Sequence, residues 1–301
     1  SRAQDPVADE GDGRIVDDDD EKTNRDWSEE MMNNETYRTR LHWPEVMDGL
    51  GAEGVDDEEI RELQRKLDVE ADGLLGPVTY AAWIRHTLAR DISPGDRAVL
   101  TGVGMWLHDI VEPSSARDTS RAEVIAGIIA RGLPTWDVDY RANGSFAWCG
   151  AFVAACYSET VPHVIREHYF ASTYRLDCYG RRAKWDQSAP RPPVASPDAL
   201  YWVADPSGNR TTGPELKRGD IILVRGAAAQ YGTHIAMVAR DQEWPRSTQR
   251  GGLQRGILAV EGNAHGWLPD DSYAEGVVMK WYLGEDVRRV IRLGASDWGQ
   301  P

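Results

Sequence analysis

The chain has 301 residues, 41% of them hydrophobic, and a formal net charge of −15. That length suffices for two compact domains, and no apolar run approaches the roughly 20 residues that span a membrane, so membrane insertion is not expected. The acidic balance argues against nucleic acid and against anionic membrane surfaces as partners, because both carry dense negative charge.

Ser1 to Glu30 hold twelve acidic and four basic residues, including the run Asp17-Asp18-Asp19-Asp20-Glu21. Such a segment buries too little to offset ordering, and residues 1–40 are expected to be a solvated, flexible tail. No charged-then-apolar leader follows Ser1, so any targeting segment is expected to be removed or never present, and no export route is visible.

Residues 41–90 are expected to form a small helical domain. After Leu41-His42-Trp43-Pro44 and a turn around Gly51 and Gly54, Asp56 caps a helix, Glu59 completes a capping-box pair, and Val55 with Ile60 supplies a hydrophobic staple. Ile60, Leu63, Gln64 and Leu67 recur at helical spacing. Asp72-Gly73-Leu74-Leu75-Gly76-Pro77 reads as a turn into a second helix with Pro77 at its first position. Leu63-Gln64, Leu67, Asp72-Gly73, Gly76-Pro77, Thr79 and Ala82 resemble the peptidoglycan-binding domain found beside many cell-wall hydrolases, over about Gly51 to Leu88. The resemblance implies wall targeting. The same residues would also build a helical hairpin that docks on its neighbour.

A helical connector is expected over 91–118, with an amphipathic helix between Ile92 and Val111, and an apolar helix over Ala122 to Ala130 near the start of a second domain, 119–301. Trp148-Cys149-Gly150-Ala151-Phe152-Val153-Ala154-Ala155-Cys156-Tyr157 reads as a buried helix with Cys149 at its start. Unpaired N–H groups and the positive end of the helix dipole favour a thiolate there. A polar, Arg- and Pro-rich region spans about Tyr174 to Asp198. Strand-like runs follow at Asp220 to Val224, His234 to Ala239, Gly256 to Val260 and Val277 to Tyr282. Helices first and strands later predict an α+β domain with an antiparallel sheet. His234 opens one strand, and Glu261 and Asn263 end the next. Residues two apart on a strand share a face, so both side chains are expected to point at one imidazole.

Trp148-Cys149-Gly150-Ala151-Phe152-Val153, Lys217-Arg218-Gly219-Asp220-Ile221, Gly232-Thr233-His234-Ile235-Ala236-Met237-Val238 and Val260-Glu261-Gly262-Asn263, in that order, resemble the CHAP family of cysteine- and histidine-dependent amidohydrolases and peptidases. These are papain-like, NlpC-related enzymes, and the likeness covers about Thr119 to Leu293. It implies a papain-like catalytic domain in which Cys149 is the nucleophile, His234 the base and then acid, Glu261 the orienter of the imidazole and Asn263 a fourth polar member. It also implies hydrolysis of an amide bond in bacterial peptidoglycan, as an N-acetylmuramoyl-L-alanine amidase or an endopeptidase, without a cofactor. The expected place of action is the bacterial envelope, reached by secretion or delivery. A housekeeping hydrolase, a phage lysin and an antibacterial toxin would share this layout, the last with an inhibitor or immunity protein as partner. A wall-binding protein without activity and an acyltransferase or transpeptidase on the same triad are the rival readings.

Three cysteines are too few for a disulfide scaffold. Cys149 and Cys156 are seven apart, about 10 Å along a helix and beyond disulfide reach. Cys156 reads as core, and Cys178 as core or a spare thiol. His265, expected in a loop, is the rival base, while His163 and His168 read as surface or packing residues. No ligand spacing for a metal appears. Trp148, Trp185, Trp202 and Trp267 fit a substrate groove or the core, with Trp148 and Trp267 as substrate-binding candidates.

Overall fold

The computed structural model describes residues 41, 43–47, 56–87, 92–114, 117–134, 140, 147–161, 169–173, 175–176, 199–204, 212–224, 234–245 and 256–294. The acidic segment, Val55, Gly51, Gly54, His163, His168, Cys178, Trp185 and nearly all of the Arg- and Pro-rich region lie outside them.

Local chemistry fixes the helix starts. After a single turn, α1 (Trp43–Val46), comes α2 (Asp57–Lys66), where the Asp56 carboxylate accepts from the N–H groups of Glu58 and Glu59 and Glu59 returns the bond to the Asp56 N–H. Buried Gln64 then ties the following turn. Its amide donates to Asp72, Leu74 and Thr79 and accepts from the N–H of Gly73, whose φ of +79° suits glycine. Pro77 opens α3 (Pro77–Thr87), and Ser93 caps α4 (Pro94–Leu107) by accepting from Asp96. Asp118 caps α5 (Thr119–Gly132), whose apolar side rests on α6 (Cys149–Tyr157). All nine residues of α6 are buried, so it is the central helix of the fold, enclosed by α4, α5 and the sheet.

The sheet has six antiparallel strands in the order β1-β6-β2-β3-β4-β5: β1 (Leu200–Val203), β2 (Ile221–Val224), β3 (His234–Val238), β4 (Ile257–Trp267), β5 (Tyr273–Tyr282) and β6 (Val287–Arg292). Mixed helices with an antiparallel sheet agree with the α+β expectation. β4 and β5 run longer than the apolar segments predicted, and β1 and β6 add strands that were not anticipated.

Both faces of the sheet are covered. Leu223, Ile235, Met237, Leu258, Val260 and Met279 join the helices, while Ile222, Ala236, Val238, Ala259, Tyr282 and Val290 pack with Leu216 and Trp244 on the other side. Double burial explains why these strands read as continuous apolar runs.

The helical hairpin shares this core. Tyr80 on α3 is fully buried, meets the Trp43 ring, and donates its hydroxyl to the carbonyl of Ala239 at 2.9 Å. The apolar cluster runs without a break from Val46 and Ile84 to the sheet. Leu74 and Val78, by contrast, leave the hairpin's turn side exposed.

At Gly262, β4 passes close against Trp148 and Phe152. A Cβ there would stand 2.3 Å from the Trp148 ring and 2.7 Å from Phe152 Cβ. Gly262→Ala is therefore expected to lower stability by about 1–3 kcal/mol through overpacking, read as an earlier denaturant midpoint at unchanged slope.

Candidate active site

Cys149 is the first residue of α6, and its thiol keeps only 7% exposure. β3 and β4 pair at Met237↔Val260 and Val238↔Ala259, and among the described residues the ladder does not extend to His234. Where that ladder stops, the start of α6 closes in. The sulfur faces the His234 imidazole and the backbone N–H groups of Ile235 and Gly150, all of which favour its thiolate. Gly150 allows this approach, since a Cβ there would lie 1.9 Å from the Phe170 carbonyl oxygen. Burial alone would push the Cys149 thiol up, yet the imidazolium of His234 and the hydrogen bonds to the sulfur hold it below its ordinary value.

His234 begins β3 and is 4% exposed. Its Nε2 donates to Glu261 Oε2 at 2.8 Å, which leaves Nδ1 for the thiol. Burial disfavours the imidazolium, but Glu261 and Cys149 outweigh it and push His234 up to about 9. Glu261 is completely buried on β4. The Tyr282 hydroxyl donates to the same Oε2 at 2.5 Å, and Lys280 Nζ stands 2.6 Å from Oε1. Burial pushes Glu261 up, but the Lys280 ammonium and the His234 imidazolium outweigh it and hold its carboxyl below the usual range.

The structure thus brings Cys149, His234 and Glu261 into one chain of contacts. Asn263 is placed differently from the expectation. The β4–β5 register shifts between Glu261 and Ala264, and Asn263 takes a φ of +57°. This bulge breaks the alternation that would have aimed Asn263 at the imidazole. Its Oδ1 instead accepts from the Trp148 N–H at 2.9 Å, and its amide faces Glu112 at 3.5 Å. Asn263 is a clamp on the residue before Cys149.

Trp148 is also corrected. It is wholly buried, meets Phe152 edge-on, and donates its indole N–H to Glu112, so it packs the core and lines no groove. Trp267 is half-buried against Tyr273, and its carbonyl accepts from Trp106. Trp202 packs on Trp244. His265 lies on β4 and not in a loop, because the strand continues past the bulge; its Nε2 is 3.7 Å from Glu275. Cys149 and Cys156 are free thiols, and burial raises Cys156 well above the ordinary thiol range. Among the described residues no cluster of His, Cys, Asp or Glu could hold a metal ion, and no helix is long and apolar enough to cross a membrane.

Three participants escaped the sequence reading. Lys280 and Tyr282 sit in the run Val277-Val278-Met279-Lys280-Trp281-Tyr282, where one charge in an apolar, doubly buried strand is itself a sign of a buried counter-ion. Glu112, which accepts from Tyr140, Trp148 and Asn263, follows the connector helix in a stretch without a recognisable pattern.

The Lys217-Arg218-Gly219-Asp220 motif serves the fold instead. Asp220 pairs with Arg292 through both oxygens at 2.7 Å, Arg218 meets Asp96 at 2.8 Å, and Tyr157 donates to the Gly219 carbonyl. These groups line a cavity of about 510 Å³ at the far end of α6 from Cys149.

Asn263→Gly keeps the left-handed backbone and removes only the side-chain clamp. It is expected to cost about 1–3 kcal/mol, because the buried Trp148 N–H loses its acceptor, and to slow alkylation of Cys149; a denaturant melt and mass-spectrometric labelling read the two effects.

No family model, no curated protein and no solved structure matches the chain.

Proposed function

We propose that the chain is a cysteine hydrolase that cleaves an amide bond of bacterial peptidoglycan. The single observation that carries this reading is the sulfur of Cys149 at a helix start, facing the imidazole of His234, whose Nε2 is 2.8 Å from the buried carboxylate of Glu261. A thiolate paired with an oriented imidazolium is the constellation that acyl transfer from amides requires.

Cys149 attacks the carbonyl, and His234 gives its proton to the departing amine. Water, deprotonated by His234, then releases the acid from the thioester. The N–H of Cys149, first in its helix and without an intrahelical acceptor, is the donor assigned to the developing oxyanion. The helix bearing the nucleophile, packed on an antiparallel sheet that brings the base and then the carboxylate, supports a papain-like reading of the domain. Peptidoglycan as the substrate class rests on the motif resemblances at Cys149, His234 and Glu261 and in the Gln64 to Ala82 hairpin. Under this reading the hairpin is a wall-binding module, the site of action is the cell envelope, and the biological setting is that of a toxin, a lysin or a wall-remodelling enzyme.

Purified sacculi incubated with the protein should release soluble fragments, and Cys149→Ala should leave them intact. Mass spectrometry of the fragments separates amidase from endopeptidase cleavage, and an added amine acceptor separates hydrolysis from acyl transfer. Intact sacculi after prolonged digestion by the unaltered protein would reject the proposal.

The pH dependence has a definite sign. The thiolate is present above the depressed Cys149 value, whereas the imidazolium is lost as pH rises through about 9. Hydrolysis should therefore fall above about pH 9, while alkylation of Cys149, which needs no proton donor, should not.

A further inference from the structure

Lys280 is a lysine at 1% exposure near the end of β5, its ammonium 2.6 Å from Glu261 Oε1, 3.4 Å from the His265 carbonyl oxygen and over the ring of Tyr282. Burying an ammonium is costly, and an apolar residue at this position would pack without that cost. The charges around it give the reason for its presence.

From β4 it faces Glu261 and, more weakly, the imidazole of His265. Beyond the end of β5, in the 3₁₀ turn Gly284–Asp286, it feels Asp286. Through Glu261 it is linked to His234 on β3 and to Cys149 on α6. With Lys280 charged, the state Cys149 thiolate, His234 imidazolium, Glu261 carboxylate, Lys280 ammonium is a neutral row of alternating signs. Without Lys280 the same state would leave one uncompensated negative charge in a buried site.

We infer that Lys280 is a positioning residue of the catalytic centre, the counter-cation that keeps buried Glu261 ionised, so that a carboxylate stands ready to hold the imidazolium formed when the thiol proton moves from Cys149 Sγ to His234 Nδ1. This rests on the reading of Cys149 and His234 as nucleophile and base. The step itself breaks the S–H bond and forms the N–H bond, and the electron pair stays on sulfur. Lys280 touches neither atom and acts through Glu261.

The test is the rate of iodoacetamide labelling of Cys149 against pH, with mass spectrometry to assign the site. The unaltered protein should label at a pH below the ordinary thiol range of about 8.5. Lys280→Met, similar in length but neutral, should move the profile up by about one pH unit, seen as roughly tenfold slower labelling at about pH 6.5. Lys280→Arg keeps a cation beside Glu261 and should hold the profile close to that of the unaltered protein, an outcome that a merely space-filling lysine does not predict.

A Lys280→Met profile identical to the original overturns the inference and leaves the hydrolase reading standing. An original protein whose Cys149 labels only like an ordinary thiol overturns both. If Lys280→Met does not fold, Lys280→Gln takes its place beside Lys280→Arg: a profile raised in Lys280→Gln but not in Lys280→Arg supports the counter-cation, and equal profiles overturn it.

Discussion

A carboxylate with no access to water has to be held by something, and Glu261 is held from three directions. His234 and Tyr282 share one oxygen and Lys280 takes the other. Leaving any of these out would strand charge in the interior, where the penalty is several kcal/mol per ion. The arrangement also pins the sheet. Ile257 pairs with Tyr282, Ala259 with Lys280 and Glu261 with Val278, so the long side chains of β5 reach Glu261 diagonally across the ladder. A slip of one residue would turn Lys280 and Tyr282 toward the helices and break the cluster.

The sulfur arrives from the other side of the same sheet. By alternation Glu261, Lys280 and Tyr282 share a face with Ala259, whereas α6 lies against the face of Val260 and Met237. His234, at the end of β3 where pairing with β4 has stopped, joins the two. The helix is fixed at both ends by different chemistry. Asn263 and Glu112 hold Trp148 at its start, and the Gly219 carbonyl receives Tyr157 at its finish.

Helix starts and the meeting of Cys149, His234 and Glu261 were legible in the sequence because each depends on local chemistry or on motif order. Asp56, Glu59 and Pro77 announce their helices through side chains a few residues apart, and the structure has them in those roles. The position of Asn263 was not legible. A bulge is a matter of register between two strands, and Gly262-Asn263 alone does not say which way the next side chain will turn. Trp148 failed for a related reason: whether an indole faces solvent or core depends on partners such as Glu112, 36 residues away. β1 is only four residues long and β6 carries three arginines, and only the pairing of β6 with β2 and of β1 with β6 makes them strands.

The hydroxyl of Tyr80 grips the backbone at Ala239, the residue immediately after the strand that begins with His234. With the apolar cluster continuous beneath it, the hairpin is seated on the strand and does not hang from it by a leash. Whatever grips the exposed turn side around Leu74 and Val78 would thus stand at a set span from the sulfur. Under the proposed function, that fixed span would select among chemically equal bonds by their distance from the point of attachment.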